Sequence, residues 1–587
     1  MADLPHLHRT RRQFLADAAI LGAGATLGGG LLSACTGAEG GASGKRAQTL
    51  FIAGFQWGPP TNFNPLSPTA AWPAGENTEQ YIYETLFGFD LLDGSLKPAL
   101  AKSLQFQNKT TAIVTLQNGV HWQDGKPLTA DDVVYTFELA KRHKEISYAT
   151  FWDYVTSISA VNSSTVKVVL NSSRLNPGMV KGSLAGTYIL PSHVWMGVEK
   201  KNSQITQFTN MKPMGSGPYK LDNSSATQVA MSRVDSYWGK SAHGSLPHPR
   251  YIVHPIFKGN DDGDLAFQHG DIDVSQQFTP QIWQMWQNKH LPVRTWYDKS
   301  PYHVPGSIPM LVVNTTKKGL DNVKVRLALA HAINYAQIAN TAMSRYSKPA
   351  NSSLVLPTGA EAEYFNAANV KANGWSYDPH KAVQILEQEL HCKKGSDGIY
   401  RLPDGTRLGP WTAQTPTGWS DWQTGLQVVA SSAKAVGIDI QTQFPQAPQV
   451  TQAVQNGNFD LACWGVSGVS PATPWQRFRD VLDSRGVPKP GQSAFYNYGR
   501  FHDSRVTPLL EKVATVSGAE AKDLYTELDK IFMQNAPMIP LMYRPLEFFE
   551  YNASTWTGWP NAEHPTAPPQ FSGAGSMWLY QIKPKSA

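Results

Sequence analysis

The chain contains 587 residues, of which 51 are basic and 45 acidic, giving a formal net charge of +6. The basic residues are spread along the sequence rather than gathered in a block, so no nucleic-acid partner is expected. The length exceeds what one compact core usually holds, and more than one lobe is therefore expected.

The N-terminus carries the features of an export signal. Residues 10–15, TRRQFL, form a twin-arginine pattern, and the apolar stretch at residues 18–32 is too short to span a bilayer. The following LSAC resembles a bacterial lipobox, which predicts a signal peptide at residues 1–34 and lipid attachment at Cys35. An ordinary cleaved signal is the alternative. Residues 35–47 would tether an extracytoplasmic domain to the outer face of the cytoplasmic membrane.

The first well-defined pattern of the mature chain is a strand followed by two turns. Alternating apolar side chains at residues 111–116 favour a half-buried strand. Asn118-Gly119 then predicts a hairpin turn, with residues 120–122 as the returning strand. Asp124-Gly125 predicts a second turn.

Helices and further strands follow in alternation. Thr129 and Asp132 form a capping-box pattern ahead of an amphipathic helix. Apolar spacing predicts helices at residues 322–343 and 520–533, the second of them ending before Asn535-Ala536-Pro537. Strands are predicted at residues 166–170, 310–313 and 438–443. This alternation favours α/β lobes.

The sequence contains no recognisable catalytic or metal-binding pattern. It has no Gly-x-Ser-x-Gly turn, no phosphate-binding glycine-rich loop and no His-Glu-x-x-His helix. The segment HGDIDV at residues 269–274 favours a surface turn over a metal site. Cys392 and Cys463 are expected to be separate buried thiols, with a disulfide left open as the alternative. No enzyme activity, no cofactor and no metal are therefore predicted.

Several segments together resemble one family of transport proteins. The stretch LQNGVHWQDGKPLTADDVVYTFEL resembles the signature of the family 5 extracellular solute-binding proteins of ABC importers. That family includes dipeptide-, oligopeptide-, nickel- and cello-oligosaccharide-binding proteins. Six other segments resemble the family in the expected order over residues 48–587: GPPTNFNPL, YIYETLFGFD, MGSGPYKL, LAFQHGDIDV, LVVNTTKKGLDNVKVRLALAHAINY and NAPMIPLMYRP.

The resemblance implies an α/β, three-lobed fold of the periplasmic-binding-protein type, with a ligand cleft between two main lobes joined by a hinge. The implied lobes are residues 48–85, 212–308 and 535–587 for the discontinuous lobe I, 86–211 for the accessory lobe II and 309–534 for lobe III. In such a protein the cleft captures a small molecule, closes around it and delivers it to the ABC permease in the membrane. The chain is expected to act as a monomer.

One segment bears on the class of ligand. In the family's peptide binders an aspartate shortly after a Trp-Gly pair binds the peptide α-amino group, whereas here no acidic residue stands between Trp464 and Trp475. A buried ammonium without a counter-charge would cost several kcal/mol. The tail MYRPLEFFEYNASTWTGWPNAEHPTAPP resembles the branch that contains cello-oligosaccharide binders. An oligosaccharide or β-glucoside is therefore the expected ligand.

Tryptophans are the expected ligand-binding residues, because sugar rings stack on flat aromatic faces. The candidates are Trp57, Trp72, Trp419, Trp422, Trp464 and Trp475. For each of them a position in the core is the alternative. Peptide binding is the second hypothesis, with Asp421 or Asp480 as the amine partner. A secreted enzyme is a distant third, and a nickel ligand is less favoured because the sequence has no local histidine cluster.

Overall fold

A computed structural model describes residues 42–75 and 79–585. Residues up to Gln48 belong to one unit, in which the short helix Ala42–Arg46 occupies part of the predicted tether. Residues from Thr49 onward form a second unit. The predicted signal peptide and Cys35 lie outside the described residues. Every helix in the described part of the chain is too short or too polar to cross a membrane.

The strands of the described residues are numbered β1 to β24 in chain order. They are Thr49–Ala53, Phe87–Phe89, Leu96–Pro98, Ala101–Asn108, Thr111–Leu116, Val155–Asn162, Thr165–Leu170, Tyr219–Ser224, Gln228–Arg233, Tyr251–Pro255, Val274–Ser275, Val293–Arg294, Pro305–Ser307, Met310–Val313, Lys393–Lys394, Tyr400–Arg401, Trp411–Gln414, Ile440–Gln443, Leu461–Trp464, Met538–Pro540, Arg544–Pro545, Glu550–Asn552, Trp556–Thr557 and Lys583–Pro584.

The α-helices of the described residues are numbered α1 to α17. They are Ala42–Arg46, Ala130–Arg142, Phe151–Tyr154, Pro177–Gly186, Ser192–Lys201, Gly239–His243, Asn260–His269, Trp283–Gln287, Val323–Ala332, Tyr335–Gln337, Ala367–Asn373, Pro379–Gln384, Ser420–Ala435, Ala447–Asn456, Trp475–Leu482, Val506–Val513 and Gly518–Asn535. Short 3-10 or π-helical turns are Ser147–Thr150, Ser172–Arg174, Ile205–Gln207, Ile338–Ala342, Gly359–Glu361, Ile385–Glu389 and Gly573–Tyr580.

Three larger sheets organise the second unit. A seven-stranded sheet has the order β12-β22-β11-β1-β10-β9-β8, and β1 is parallel to both of its neighbours. A five-stranded sheet has the order β18-β17-β19-β14-β20. A four-stranded antiparallel sheet has the order β4-β5-β7-β6 and uses only residues from 101 to 170. The interior strands β1 and β14 of the two larger sheets are largely apolar and buried, so the core lies against these sheets.

The boundaries of the three lobes stay a prediction, and one strand pairing bears on them. Strands from residues 49–53, 219–294 and 550–552 share the seven-stranded sheet, although they are far apart in sequence. The strand Met538–Pro540 falls in the segment predicted for lobe I, yet it pairs with β14 of the five-stranded sheet. The chain therefore returns to the seven-stranded sheet only after residue 540.

The predicted hairpin around Asn118-Gly119 is wrong. Both edges of β5 are already paired, with β4 on one side and β7 on the other, so residues 120–122 cannot return along it. Instead the Trp122 amide donates to the Lys126 carbonyl (2.8 Å) and the Leu128 amide to the Val120 carbonyl (3.0 Å). The turn at Asp124-Gly125 thus closes a small loop of its own.

One predicted helix start and one predicted helix end are confirmed, whereas one predicted long helix is interrupted. The Thr129 amide donates to Asp132 Oδ2 (2.9 Å), which confirms the capping box of α2. The helix predicted at residues 322–343 is broken, because Asn334 Oδ1 accepts from the Gln337 amide (3.0 Å) and starts a new turn. The helix predicted at 520–533 is observed as Gly518–Asn535 and ends at Ala536, whose φ of +41° is left-handed.

The segment that resembles the family signature connects the four-stranded sheet to the seven-stranded sheet. The Gln123 amide donates to the Gly215 carbonyl (3.0 Å), and its side chain donates to the Tyr219 carbonyl (2.8 Å). A Cβ on Gly215 would collide with the Ile82 carbonyl, so only glycine permits this approach. The Gln123 bonds and the close approach of Gly215 to Ile82 therefore fix the path of the backbone where the two sheets meet.

A buried carboxyl in α17 should make the stability of the fold depend on pH. Burial raises the pKa of Asp529 from 3.8 to about 7, although its bonds from the Leu354 amide (2.8 Å) and Ser353 Oγ (2.7 Å) lower it. The folded chain therefore holds a proton that the unfolded chain releases between about pH 4 and about pH 7. Stability is present below the unfolded pKa and is lost as pH rises through the folded pKa.

We expect Asp529→Asn to flatten this decline in stability, which is on the order of 4 kcal/mol for a pKa raised from 3.8 to about 7, in unfolding curves recorded across that pH range. Asp523→Asn, at an exposed position of the same helix, should leave the pH dependence of the parent chain unchanged. A decline that is equally steep in the Asp529 variant would assign it to other groups.

Candidate ligand-binding cleft

A two-stranded ribbon lies where the chain passes between the two larger sheets. β13 directly precedes β14 of the five-stranded sheet, and β21 directly follows β20. β13 and β21 pair antiparallel, with Pro305 opposite Pro545 and Ser307 opposite Arg544. Since both crossing segments are short and paired with each other, this ribbon fits the role of the predicted hinge.

A large cavity with a volume of about 770 Å³ lies beside this ribbon. Its wall combines residues from widely separated parts of the sequence, including Leu66, Tyr188, Ser470 and Leu546. Its size falls within the range of small-molecule pockets. Among the described residues of the wall, only Glu145 and Arg479 carry a formal charge. The cavity is thus suited to a largely neutral ligand.

Aromatic residues of the cavity wall come from several segments. They are Phe89, Tyr148, Tyr188, Phe495, Tyr496 and Tyr498. Three of them belong to the segment FYNY at residues 495–498, and Phe495 is 61% exposed. These residues were not among the predicted ligand-binding residues, all of which are tryptophans. Three aromatic residues within four positions of a loop rich in Gly, Pro and Ser were the available signal.

The structure brings three of the predicted tryptophans together. The rings of Trp419 and Trp422 are 5.0 Å apart at 88°, and those of Trp422 and Trp464 are 6.4 Å apart at 80°. Trp419 and Trp464 are half-buried, whereas Trp422 is 8% exposed. The loop after Trp464 reaches the hinge ribbon, where the Val469 amide donates to the Gly306 carbonyl (2.8 Å). This tryptophan cluster and the cavity therefore lie at opposite ends of one short loop.

The other three predicted tryptophans are placed separately. Trp57 is half-buried in the loop after β1. Trp72 is 3% exposed and packs against Phe55, with ring centroids 5.7 Å apart. Trp475 is 5% exposed, and its Nε1 donates to the Leu510 carbonyl (2.7 Å). Among the described residues that line the large cavity, none of the six predicted tryptophans is present, so their contact with ligand stays a prediction.

Both acidic residues considered as amine partners are held by arginines. Asp421 Oδ2 lies 3.0 Å from Arg544 Nε, and the Asp421 side chain is 2% exposed. Asp480 Oδ1 lies 2.7 Å from Arg479 Nη2, while its other oxygen accepts from the hydroxyl of Ser467. Because these carboxylates already have cationic partners, neither offers a free counter-charge for an ammonium group.

The two cysteines confirm the prediction of separate buried thiols. Cys392 and Cys463 are both free and buried. Burial raises the pKa of the Cys463 thiol, and the nearby Asp421 carboxylate adds to the effect. Burial also raises the pKa of Cys392. Both thiols are therefore protonated near neutral pH.

Two segments that lie beside different sheets contact each other next to the tryptophan cluster. Asn260 Nδ2 donates to Ser420 Oγ (3.2 Å), and a Cβ on Gly259 would lie 3.4 Å from Gly418 Cα. Gly259 precedes α7, which is adjacent in sequence to the seven-stranded sheet, whereas Ser420 begins α13 beside the five-stranded sheet. This contact closes one side of the space between the two sheets.

Comparison with known proteins places the chain in one family. Residues 95–486 match the family described as bacterial extracellular solute-binding proteins, family 5 Middle. The chain is 25% identical over 477 residues to a probable peptide-binding protein YejA of Agrobacterium fabrum, covering 75% of each. It is also 25% identical over 502 residues to the glutathione-binding protein GsiB of Escherichia coli K12, covering 83% of this chain and 88% of that protein.

Solved structures extend the match to the whole fold. A periplasmic oligopeptide-binding protein of an ABC transporter from Thermotoga maritima, bound to mannohexaose, superposes with a TM-score of 0.85 at 30% identity. The match covers 92% of this chain and 99% of that chain. The oligopeptide-binding protein AppA of Bacillus subtilis, in complex with a nonapeptide, gives a TM-score of 0.72 at 21% identity over 92% and 99% of the chains.

These matches confirm the predicted α/β fold of the periplasmic-binding-protein type and the absence of an enzymatic role. The chain belongs to the family 5 bacterial extracellular solute-binding proteins and is the solute-binding component of an ABC importer.

Proposed function

We propose that this binding protein captures neutral oligosaccharides or β-glucosides and delivers them to the permease of its importer. The observation that carries the proposal is the state of the two candidate acids, each paired with an arginine within 3.0 Å. A neutral sugar needs no counter-charge, whereas a peptide α-amino group does. The mannohexaose bound to the Thermotoga maritima protein supports the same ligand class at 30% identity.

The aromatic residues supply the contacts that a sugar requires. Trp464 and Trp419 are half-buried, and Trp464 stands at the start of the loop that carries Ser470 and Pro471 into the cavity wall. The tyrosines of the large cavity add flat faces with hydroxyl groups at their edges. Trp475 is the weaker candidate, because its indole nitrogen is bound and its ring packs against Tyr154 at 5.9 Å.

A peptide ligand is the second candidate function. It is favoured by two relatives, a probable peptide-binding protein and a glutathione-binding protein, each of which is 25% identical to this chain. A peptide would have to find its amine partner at a carboxylate other than Asp421 or Asp480, or displace an arginine from one of them.

The anchoring of the protein is proposed from its sequence. The twin-arginine segment and the LSAC sequence support export followed by lipid attachment at Cys35. Held in this way at the outer face of the cytoplasmic membrane, the binding unit would stay close to the permease.

Trp464→Ala should weaken oligosaccharide binding about tenfold or more, because one stacked face is worth roughly 1–3 kcal/mol. Calorimetric titration of the mature chain with mannohexaose and with cello-oligosaccharides measures this effect. Trp152→Ala is the matched control. Trp152 is also half-buried, but its indole nitrogen donates to the Phe137 carbonyl of α2. Tight binding of short peptides that is lost on N-acetylation, with no response to sugars, would replace this function by the second candidate.

A further inference from the structure

Part of the large cavity is built by the stretch of chain that contains β6 and β7 of the four-stranded sheet. The turn Ser147–Thr150 and the helix α4 both contribute to it, and Thr187 follows directly after α4. We call the wall residues between positions 145 and 206 the accessory wall. A second part of the wall comes from residues between 455 and 498, a range that includes β19 of the five-stranded sheet.

These two parts of the chain contact each other beside the cavity. A Cβ on Gly178 of α4 would lie 3.1 Å from the Pro471 carbonyl oxygen, so the helix closely approaches the loop that enters the cavity wall. The rings of Tyr154 and Trp475 pack edge to face, with centroids 5.9 Å apart. The accessory wall is therefore held against the segment that supplies the second part of the wall.

The accessory wall offers hydroxyl groups suited to a neutral, hydroxyl-rich ligand. Ser183 Oγ donates to the Met179 carbonyl (3.0 Å), which leaves the serine oxygen able to accept another hydrogen bond. Thr187 is 2% exposed, and its Oγ1 has no hydrogen-bond partner within the described part of the chain. A buried hydroxyl without a partner is unfavourable, and a ligand hydroxyl can supply the missing bond.

The second part of the wall adds an aromatic surface. Phe495 is 61% exposed, which is unusual for a large apolar side chain unless its face serves binding. Arg479 lies over the neighbouring Tyr496 ring at 5.1 Å, and its Nη2 is 2.7 Å from Asp480 Oδ1. Since the arginine already has an anionic partner, this part of the wall also favours a neutral ligand.

We propose that the accessory wall binds ligand directly, holding the rings of a long oligosaccharide that lie furthest from Trp464 and thereby selecting long chains over short ones. This inference rests on the proposed function. A short sugar can be held at the tryptophan cluster alone. The loop after Trp464 carries Ser470 into the cavity wall, so a longer ligand that follows this loop gains the contacts of both regions.

Gly186→Trp tests the accessory wall by filling the cavity from that side. Gly186 is exposed, lines the cavity, and a Cβ there would meet no atom within 4 Å, so the indole enters the cavity without disturbing the core. We expect mannohexaose to bind about tenfold or more weakly, while mannobiose binds as it does to the parent chain. Calorimetric titration of the mature chain with manno- and cello-oligosaccharides of increasing length measures this difference.

Gly197→Trp is the matched control from the same part of the chain. Gly197 lies in α5, is exposed, has no atom within 4 Å of a Cβ, and is not among the residues that line the cavity. This variant should bind sugars of every length as the parent chain does. Phe495→Ala, on the second part of the wall, should reproduce the length-dependent loss without adding any bulk.

The parent chain and the variants test different statements. If the parent chain binds no sugar of any length, the proposed function fails. If the parent binds long sugars, and Gly186→Trp and Phe495→Ala bind them equally well, the accessory wall is refuted while the proposed function stands. An equal loss at all lengths would overturn selection for long chains. A loss of peptide binding in Gly186→Trp, with sugar binding unchanged, would assign the accessory wall to a peptide ligand instead.

Discussion

Replacing Arg477 with alanine should destabilise the folded chain by about 3–5 kcal/mol, because it leaves a buried carboxylate without its partner. Arg477 is fully buried and binds Glu361 through two bonds, of 2.6 Å and 2.9 Å. The same guanidinium donates to the carbonyls of Leu354 (2.8 Å) and Ser467 (2.9 Å). Glu361 is itself only 2% exposed, so water cannot take over these bonds.

The Arg477 prediction is checked by denaturant unfolding against a matched exposed pair. Arg505 lies 2.6 Å from Asp503, but its side chain is 54% exposed, and Arg505→Ala should cost less than about 1 kcal/mol. The double variant Arg477→Met with Glu361→Gln should recover part of the loss, since it removes both buried charges. Equal stabilities of the Arg477 and Arg505 variants would contradict this assignment.

Arg477 also links stability to the cleft. The Ser467 carbonyl that it holds belongs to the loop that carries Ser470 and Pro471 into the wall of the large cavity. The same loop begins at Trp464 and is attached to the hinge ribbon through Val469. A change at Arg477 should therefore loosen the cavity wall even where the fold survives.

The sequence predicted elements best where local signals and packing agree. The strand at residues 310–313 is observed with the predicted bounds, and its four consecutive apolar residues are all buried in the interior of the five-stranded sheet. Residues 120–122 failed as a strand for a reason that is not local, since both neighbours of β5 come from other parts of the chain. Asn334 broke the helix predicted at 322–343 through a side-chain cap that competes with the apolar spacing around it.

The candidate site was less predictable than the fold. A tryptophan of a cleft and a tryptophan of a core look the same in sequence, and Trp475 has the bound nitrogen and low exposure of a core residue. The wall of the large cavity joins residues as distant in sequence as Leu66 and Leu546, so no local spacing of residues encodes it.

The contact between residues 259 and 418 leads to the second large expected effect. If ligand affinity depends on closing the space between the two larger sheets, then a bulky side chain at this contact should hold it open. Gly259 has an extended backbone with φ of −179°, which any residue adopts, so a substitution there introduces no strain of its own. The Gly418 backbone lies only 3.4 Å from the position of its Cβ.

Gly259→Trp should therefore lower the affinity for ligand by about a hundredfold, which corresponds to about 2.7 kcal/mol of lost closure energy. Stability without ligand should change far less, because the indole can extend into solvent when the lobes are apart. Small-angle scattering with and without mannohexaose, together with calorimetry, measures compaction and affinity in the same samples. Gly197→Trp is the control, since Gly197 is exposed and a Cβ there would meet no atom within 4 Å. Full compaction and unchanged affinity in the Gly259 variant would show that binding does not require this contact. Loss of both compaction and affinity would identify closure across residues 259 and 418 as the step that retains the ligand.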